Sequence, residues 1–243
     1  MLDRHAISTS RFGLAAPDSP ASFLALAAIR ARKEAMAQVF AGEPVSVFQG
    51  SYSSEHPLAG LELLLFPPSP KIAGNHVVSH GLTLPALRPP VPGQIVDDRF
   101  SGLGMEICLR FDDDGDPDQH AAYAEACAAL IFETAESLVV DAPYRTLLPG
   151  DVLQTDDDDM LHSSWLVIDG GPFRNRLVLP TGHCHLVQLV PFANEAVDMT
   201  AHLSGEKRAA FAELLDVKRS ISGSRSPIIE HRKCASALAE LES

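Results

Sequence analysis

Four histidines carry the spacing that metal chemistry would need. His76 and His80 sit in the run GNHVVSHGLTL, from Gly74 to Leu84, and His183 and His185 sit in a later apolar stretch. Alternate strand positions point to one face, so each pair presents two imidazoles together, and converging pairs would make the site of a metal-dependent hydrolase. The plainer reading is that all four are polar strand positions bonded to backbone groups. No carboxylate lies at a matching short spacing, and no metal is assigned. Asp112, Asp114 and Asp116 alternate like the acids of a calcium loop, but Pro117 stands where that loop needs glycine and no glutamate occupies its twelfth position. Glu106 and Glu195 are acid/base candidates that nothing in the sequence joins. The chain has no G-x-S-x-G elbow, no phosphate loop, no G-x-G-x-x-G and no H-E-x-x-H. The expectation is a protein that is not an enzyme, with no cofactor.

The elements that must position these residues follow from periodicity. His76 to His80 is rich in β-branched residues and reads as a strand with His76, Val78 and His80 on one face, ending at Gly81, where the turn calls for positive φ. Val45 to Tyr52 and Leu61 to Phe66 read as strands, with Leu61, Leu63 and Leu65 facing the core. Gly104 to Phe111 alternates, with Met105, Ile107, Leu109 and Phe111 inside and Glu106, Cys108 and Arg110 outside, as in a half-buried strand. Ser164 to Ile168, Arg176 to Leu179 and His183 to Phe192 complete the set, the last two joined as a hairpin through Pro180-Thr181-Gly182.

Three helices accompany them. Pro20 to Ala41 has its apolar stripe on Phe23, Leu24, Ala27, Ala31, Ala35 and Val39, with Arg30, Arg32, Lys33 and Glu34 on the wet side. Pro117 to Leu138, capped by Asp116, has its stripe on Tyr123, Ala126, Cys127, Leu130, Ile131 and Thr134. Glu206 to Leu215 is capped by Ser204. The fold class is α+β, a mixed and mainly antiparallel sheet packed by helices in a single domain over residues 19–230. Residues 1–18 form a loosely attached segment. Residues 231–243 form a tail of helical composition with little to bury. Pro85 to Arg99 and Asp141 to Asp159 are long polar connections, the first a candidate binding loop.

Composition narrows the partner. At 243 residues and 46 % hydrophobic content the chain can build a sizeable core, and its net charge of −13 argues against direct binding to a nucleic-acid backbone. An acidic surface suits a basic partner. Cys108, Cys127, Cys184 and Cys234 lie too far apart for a zinc or disulfide framework and read as buried free thiols. With no signal peptide and no membrane span in the sequence, a cytoplasmic location is expected.

The order of elements resembles the suppressor of fused domain from about Ala31 to Arg232. Phe40-Ala41-Gly42-Glu43-Pro44 closes the opening helix, and Ser79-His80-Gly81-Leu82-Thr83 matches the family's [ST]-[YH]-G-L-[ST] element, with His80 where tyrosine is common. Gly104-Met105-Glu106, the helix face from Tyr123 to Phe132, the phrase from Pro180-Thr181-Gly182 through Gln188 to Glu195, and Ser224-Arg225-Ser226 follow in family order. The resemblance implies a protein-binding domain. Stand-alone bacterial members are regarded as immunity proteins that neutralise a toxin domain, whereas the animal regulator's transcription-factor peptide is not carried over. It supplies no catalytic residues.

A protein partner, such as a basic toxin domain, is therefore expected, with no nucleic acid or membrane. The acidic segments Asp112, Asp113, Asp114 and Asp116, and Asp156, Asp157, Asp158 and Asp159, are the expected approach surface. Phe100, Tyr144 and Phe173 are the expected apolar anchors between them. A scaffold that takes an extended peptide by strand addition is a further alternative.

Overall fold

The computed structural model describes residues 20–53, 55–83, 100–112, 115–141, 146–154, 164–170, 177–179, 182–215 and 231–242. Among them, eight strands form one sheet: β1 (Ser46–Gln49), β2 (Glu62–Phe66), β3 (Asn75–His80), β4 (Phe100–Phe111), β5 (Val152–Gln154), β6 (Ser164–Asp169), β7 (Leu177–Leu179) and β8 (Gly182–Pro191). The order is β1-β2-β3-β4-β8-β6-β5, with β7 paired to the start of β8. All pairings are antiparallel except β4 with β8. A parallel pair needs a long crossover, and helix α2 (Pro117–Glu136) opens it.

Both faces of the sheet are covered. On one, Leu63, Leu65, Ile107, Leu109, Val187 and Leu189 meet Cys127, Leu130 and Ile131 of α2. On the other, Leu64, Phe66, Val78, Cys108 and Leu186 meet Met36 of α1 (Pro20–Val39) and Phe40 just beyond it. Farther along that face, Leu166, Ile168 and Val190 meet Phe211 of α4 (Gly205–Leu214) and Cys234 and Ala237 of α5 (His231–Glu242). The expected half-buried β4 is thus corrected: α1 lies over its second face, and Glu106 and Cys108 are buried. The tail, too, has something to bury. α5 and a short helix α3 (Asn194–Met199) complete this layer.

The helix boundaries follow their caps. Asp116 accepts the Asp118 N–H at 3.0 Å, Pro117 opens α2, and Ser204 accepts the Lys207 N–H at the start of α4. α2 then widens into a π turn over Ser137–Asp141. α1 is rotated from its expected face: Ala28, Ile29, Arg32 and Met36 are buried, whereas Phe23 is 64 % exposed. Near the other end of the sheet, Gly150 (φ 91°) lies so close to Gly205 that a Cβ would sit 1.7 Å from its carbonyl oxygen. Arg208 Nη1 donates to the Gly150 carbonyl at 3.0 Å, tying α4 to this turn. Among the described residues, no helix is long and apolar enough to cross a membrane.

Candidate functional site

The residues from Ser79 to Thr83 build a cage around one carboxylate. β3 ends at His80, and the chain turns so that the backbone N–H groups of Gly81, Leu82 and Thr83 all point at Glu106 of β4, at 3.1 to 3.4 Å. The Ser79 and Thr83 hydroxyls each donate to it at 2.6 Å, and Ser79 Oγ in turn accepts the Ile107 N–H at 2.7 Å. Successive N–H groups converging on an anion form a nest. A carboxylate has acceptor capacity only, and here both hydroxyls and all three amides supply it.

Arg32 closes the cage from α1. Its Nε lies 3.6 Å from Glu106 Oε1, and its Nη1 donates to Thr83 Oγ1. Neither Arg32 nor Glu106 is exposed at all. Burial pushes the guanidinium below its ordinary pKa, opposed by the Glu106 carboxylate. Burying an ion costs several kcal/mol, and hydrogen bonds to a charged group return about 1.5–3 kcal/mol each, so the carboxylate is held by the sum of the cage. Among the described residues, Nε and Nη2 of Arg32 have no hydrogen-bond partner, and the guanidinium's charge is balanced by Glu106.

Glycine is required at position 81 because of close approach. Its φ of 158° is near the extended limit, but a Cβ there would lie 2.9 Å from Leu61 Cα and 3.1 Å from the Gly60 carbonyl oxygen. The positive φ expected at Gly81 is present, and the close approach to Leu61 and Gly60 adds a packing constraint to it.

A second polar line runs outward from the cage. His80 Nε2 lies 3.4 Å from the Ile29 carbonyl oxygen and Nδ1 lies 3.6 Å from Glu62 Oε2. Burial, reinforced by the Arg32 guanidinium, lowers the His80 pKa to about 4, so at neutral pH the ring has one proton for two oxygens. Glu62 is lowered to about 2 by His80 and, against its partial burial, by Lys33 at 3.4 Å. His76 is likewise lowered to about 4, by burial and then by Arg110.

Solved structures share this architecture. A chain in the Sufu–Fu complex crystal structure superposes with a TM-score of 0.62 at 15 % identity, over 89 % of this chain and 97 % of that one. Drosophila Suppressor of Fused gives 0.61 at 14 % identity, over 89 % of this chain and 54 % of that one. The fold is that of suppressor of fused. A putative SUFU homologue from Neisseria gonorrhoeae gives 0.52 at 11 % identity, over 83 % of this chain and 97 % of that one. No family model matches the sequence, and no curated protein matches it.

Within the suppressor of fused fold, the four histidines do not converge. Val78 and Cys108 face α1, and His76 and His80 share that side of β3 with Val78. Cys184 and Leu186 of β8 also face α1, so His183 and His185 alternate to the α2 side, with Val187 and Leu189. β4 stands between the two strands as well. Among the described residues, no group of three His, Cys, Asp or Glu could hold a metal ion. All four cysteines are buried and free, and burial pushes the thiols of Cys108, Cys127 and Cys184 up, away from the reactive thiolate.

The expected approach surface is described only in part. Asp112 is half-exposed and accepts from Arg110 Nη2 at 3.0 and 3.1 Å, and Asp116 caps α2. Phe100 begins β4, its backbone paired with His183. Asp113, Asp114, Asp156 to Asp159, Tyr144, Phe173 and the loop from Pro85 to Arg99 lie outside the described residues. Glu195 sits in the first turn of α3 and is not brought to Glu106. Sequence reasoning missed Arg32, placing it on the wet side of α1. The signal for it was a lone acid, Glu106, inside an apolar strand, with hydroxyl residues and a glycine at Ser79, Gly81 and Thr83.

Proposed function

We propose that this protein acts by binding another protein, without catalysis, as an immunity-type protein that neutralises a toxin domain. The observation that carries the reading is the use made of its most distinctive motif. Ser79 to Thr83 encloses Glu106 in a solvent-free cage, so the polar residues that would serve an active site are committed to holding β3, β4 and α1 together. Function then belongs to the surface. A solved structure of the same fold is a complex of Sufu with Fu, which supports a protein-binding role. A net charge of −13 favours a basic partner such as a nuclease domain.

Co-expression with the product of the neighbouring reading frame tests this. That product should be toxic alone and harmless when this chain is present, with the two recovered as a complex. A neighbour that is neither toxic nor bound contradicts the immunity reading.

A scaffold for an extended peptide is the second reading. Among the described residues β1 is an edge strand, paired with β2 on one side, and Val45 (64 % exposed) and Val47 are open to solvent there.

A further inference from the structure

Beside β1 the chain assembles an aromatic cluster at the rim of the main core. Tyr52 stacks on His56 with ring centroids 4.5 Å apart and planes 10° apart, and meets Phe132 of α2 edge-on at 6.1 Å and 66°. All three are partly exposed, and Tyr52 and Phe132 pack against the main core on their inner sides. The arrangement is held in place. A Cβ on Gly50 would lie 2.4 Å from the Tyr52 ring, so that ring rests against bare backbone, and His56 Nδ1 accepts the Leu58 N–H at 3.2 Å. The ring proton of neutral His56 is therefore on Nε2.

The cluster is also negative. Glu136 is exposed one helical turn beyond Phe132, on the same side of α2, and the phenol of Tyr52 is raised by burial and then by that carboxylate. Aromatic rings attract cations through their quadrupole, and a carboxylate at the rim adds to the attraction.

We propose that the Tyr52, His56 and Phe132 rings, with Glu136 as counter-charge, form the seat for an arginine or lysine side chain of a protein partner. The proposal rests on the basic-partner reading above and names one place where such a partner is held. A guanidinium stacks on aromatic rings better than an ammonium, so arginine is the preferred occupant.

The test titrates the full chain with a blocked tetra-arginine peptide at low salt and follows the ring resonances of Tyr52 and His56 by NMR. Both should shift saturably, tetra-lysine should shift them less, and tetra-glutamate should leave them unmoved. Glu136→Gln, on an exposed helix position, should weaken the tetra-arginine response about fivefold without loss of folding. Tetra-arginine that binds while these rings stay still, or binds Glu136→Gln as well as the parent, overturns the seat and leaves the basic-partner reading standing. No binding of tetra-arginine anywhere on the chain contradicts both.

Discussion

Arg32 of α1 and Glu106 of β4 form an ion pair 3.6 Å apart with neither side chain exposed. The pair links the first helix to the middle of the sheet, and the turn after β3 supplies the remaining donors. Removing one partner strands the other charge in the core, which typically costs about 3–5 kcal/mol.

Glu106→Gln and Arg32→Met should therefore each destabilise the protein by roughly 3–5 kcal/mol in urea unfolding. Arg32→Met combined with Glu106→Leu should cost clearly less than the sum of the two single losses, because no uncompensated charge remains. Additive losses would mean that the two residues act separately.

Glycine 81 gives a sharper local check. Gly81→Ala places a methyl 2.9 Å from Leu61 Cα and should cost about 1–3 kcal/mol as overpacking against backbone. Gly42→Ala, where a Cβ meets nothing within 4 Å, should change stability by no more than about 0.5 kcal/mol. Thermal melts of the two variants side by side decide it, and equal effects would contradict the packing described at the turn.

Acid should unfold the protein in two windows. His76 and His80 have native pKa values near 4, below their ordinary 6.5, so the unfolded chain binds more protons between those values and stability falls as pH drops from about 6.5 to about 4. For His80 the loss is up to roughly 3 kcal/mol. Glu62, held near 2 against an ordinary 4.5, contributes stability above pH 4.5 that is lost as pH falls toward 2. Urea midpoints across pH should show both slopes, and His80→Gln should flatten the upper one. An upper slope unchanged in His80→Gln would show that this ring is not the group titrating.

Much of the fold was legible because its apolar positions repeat cleanly. The alternation in β3 and β4, the stripe of α2 and the caps at Asp116 and Ser204 all appear where residue type and spacing put them. Burial of the second sheet face was hidden because Glu106, Cys108 and Arg110 read as an outer face, and only the position of α1 shows otherwise. Arg32 was misread for the same reason: a charge on a helix implies water unless its partner, far away in sequence, is known. β5 and α3 are too short for periodicity to mark. Of the candidate binding residues, Asp112 and Asp116 are engaged with Arg110 and the α2 N-terminus, bonds that spacing alone does not announce.

Salt dependence tests most directly the proposal that the acidic surface of this protein binds a basic partner. Stopped-flow or surface-binding kinetics with the neighbouring gene product should show an association rate that falls about tenfold or more between about 50 and about 500 mM salt, with dissociation changing far less. Absence of binding, or an association rate indifferent to salt, would contradict it.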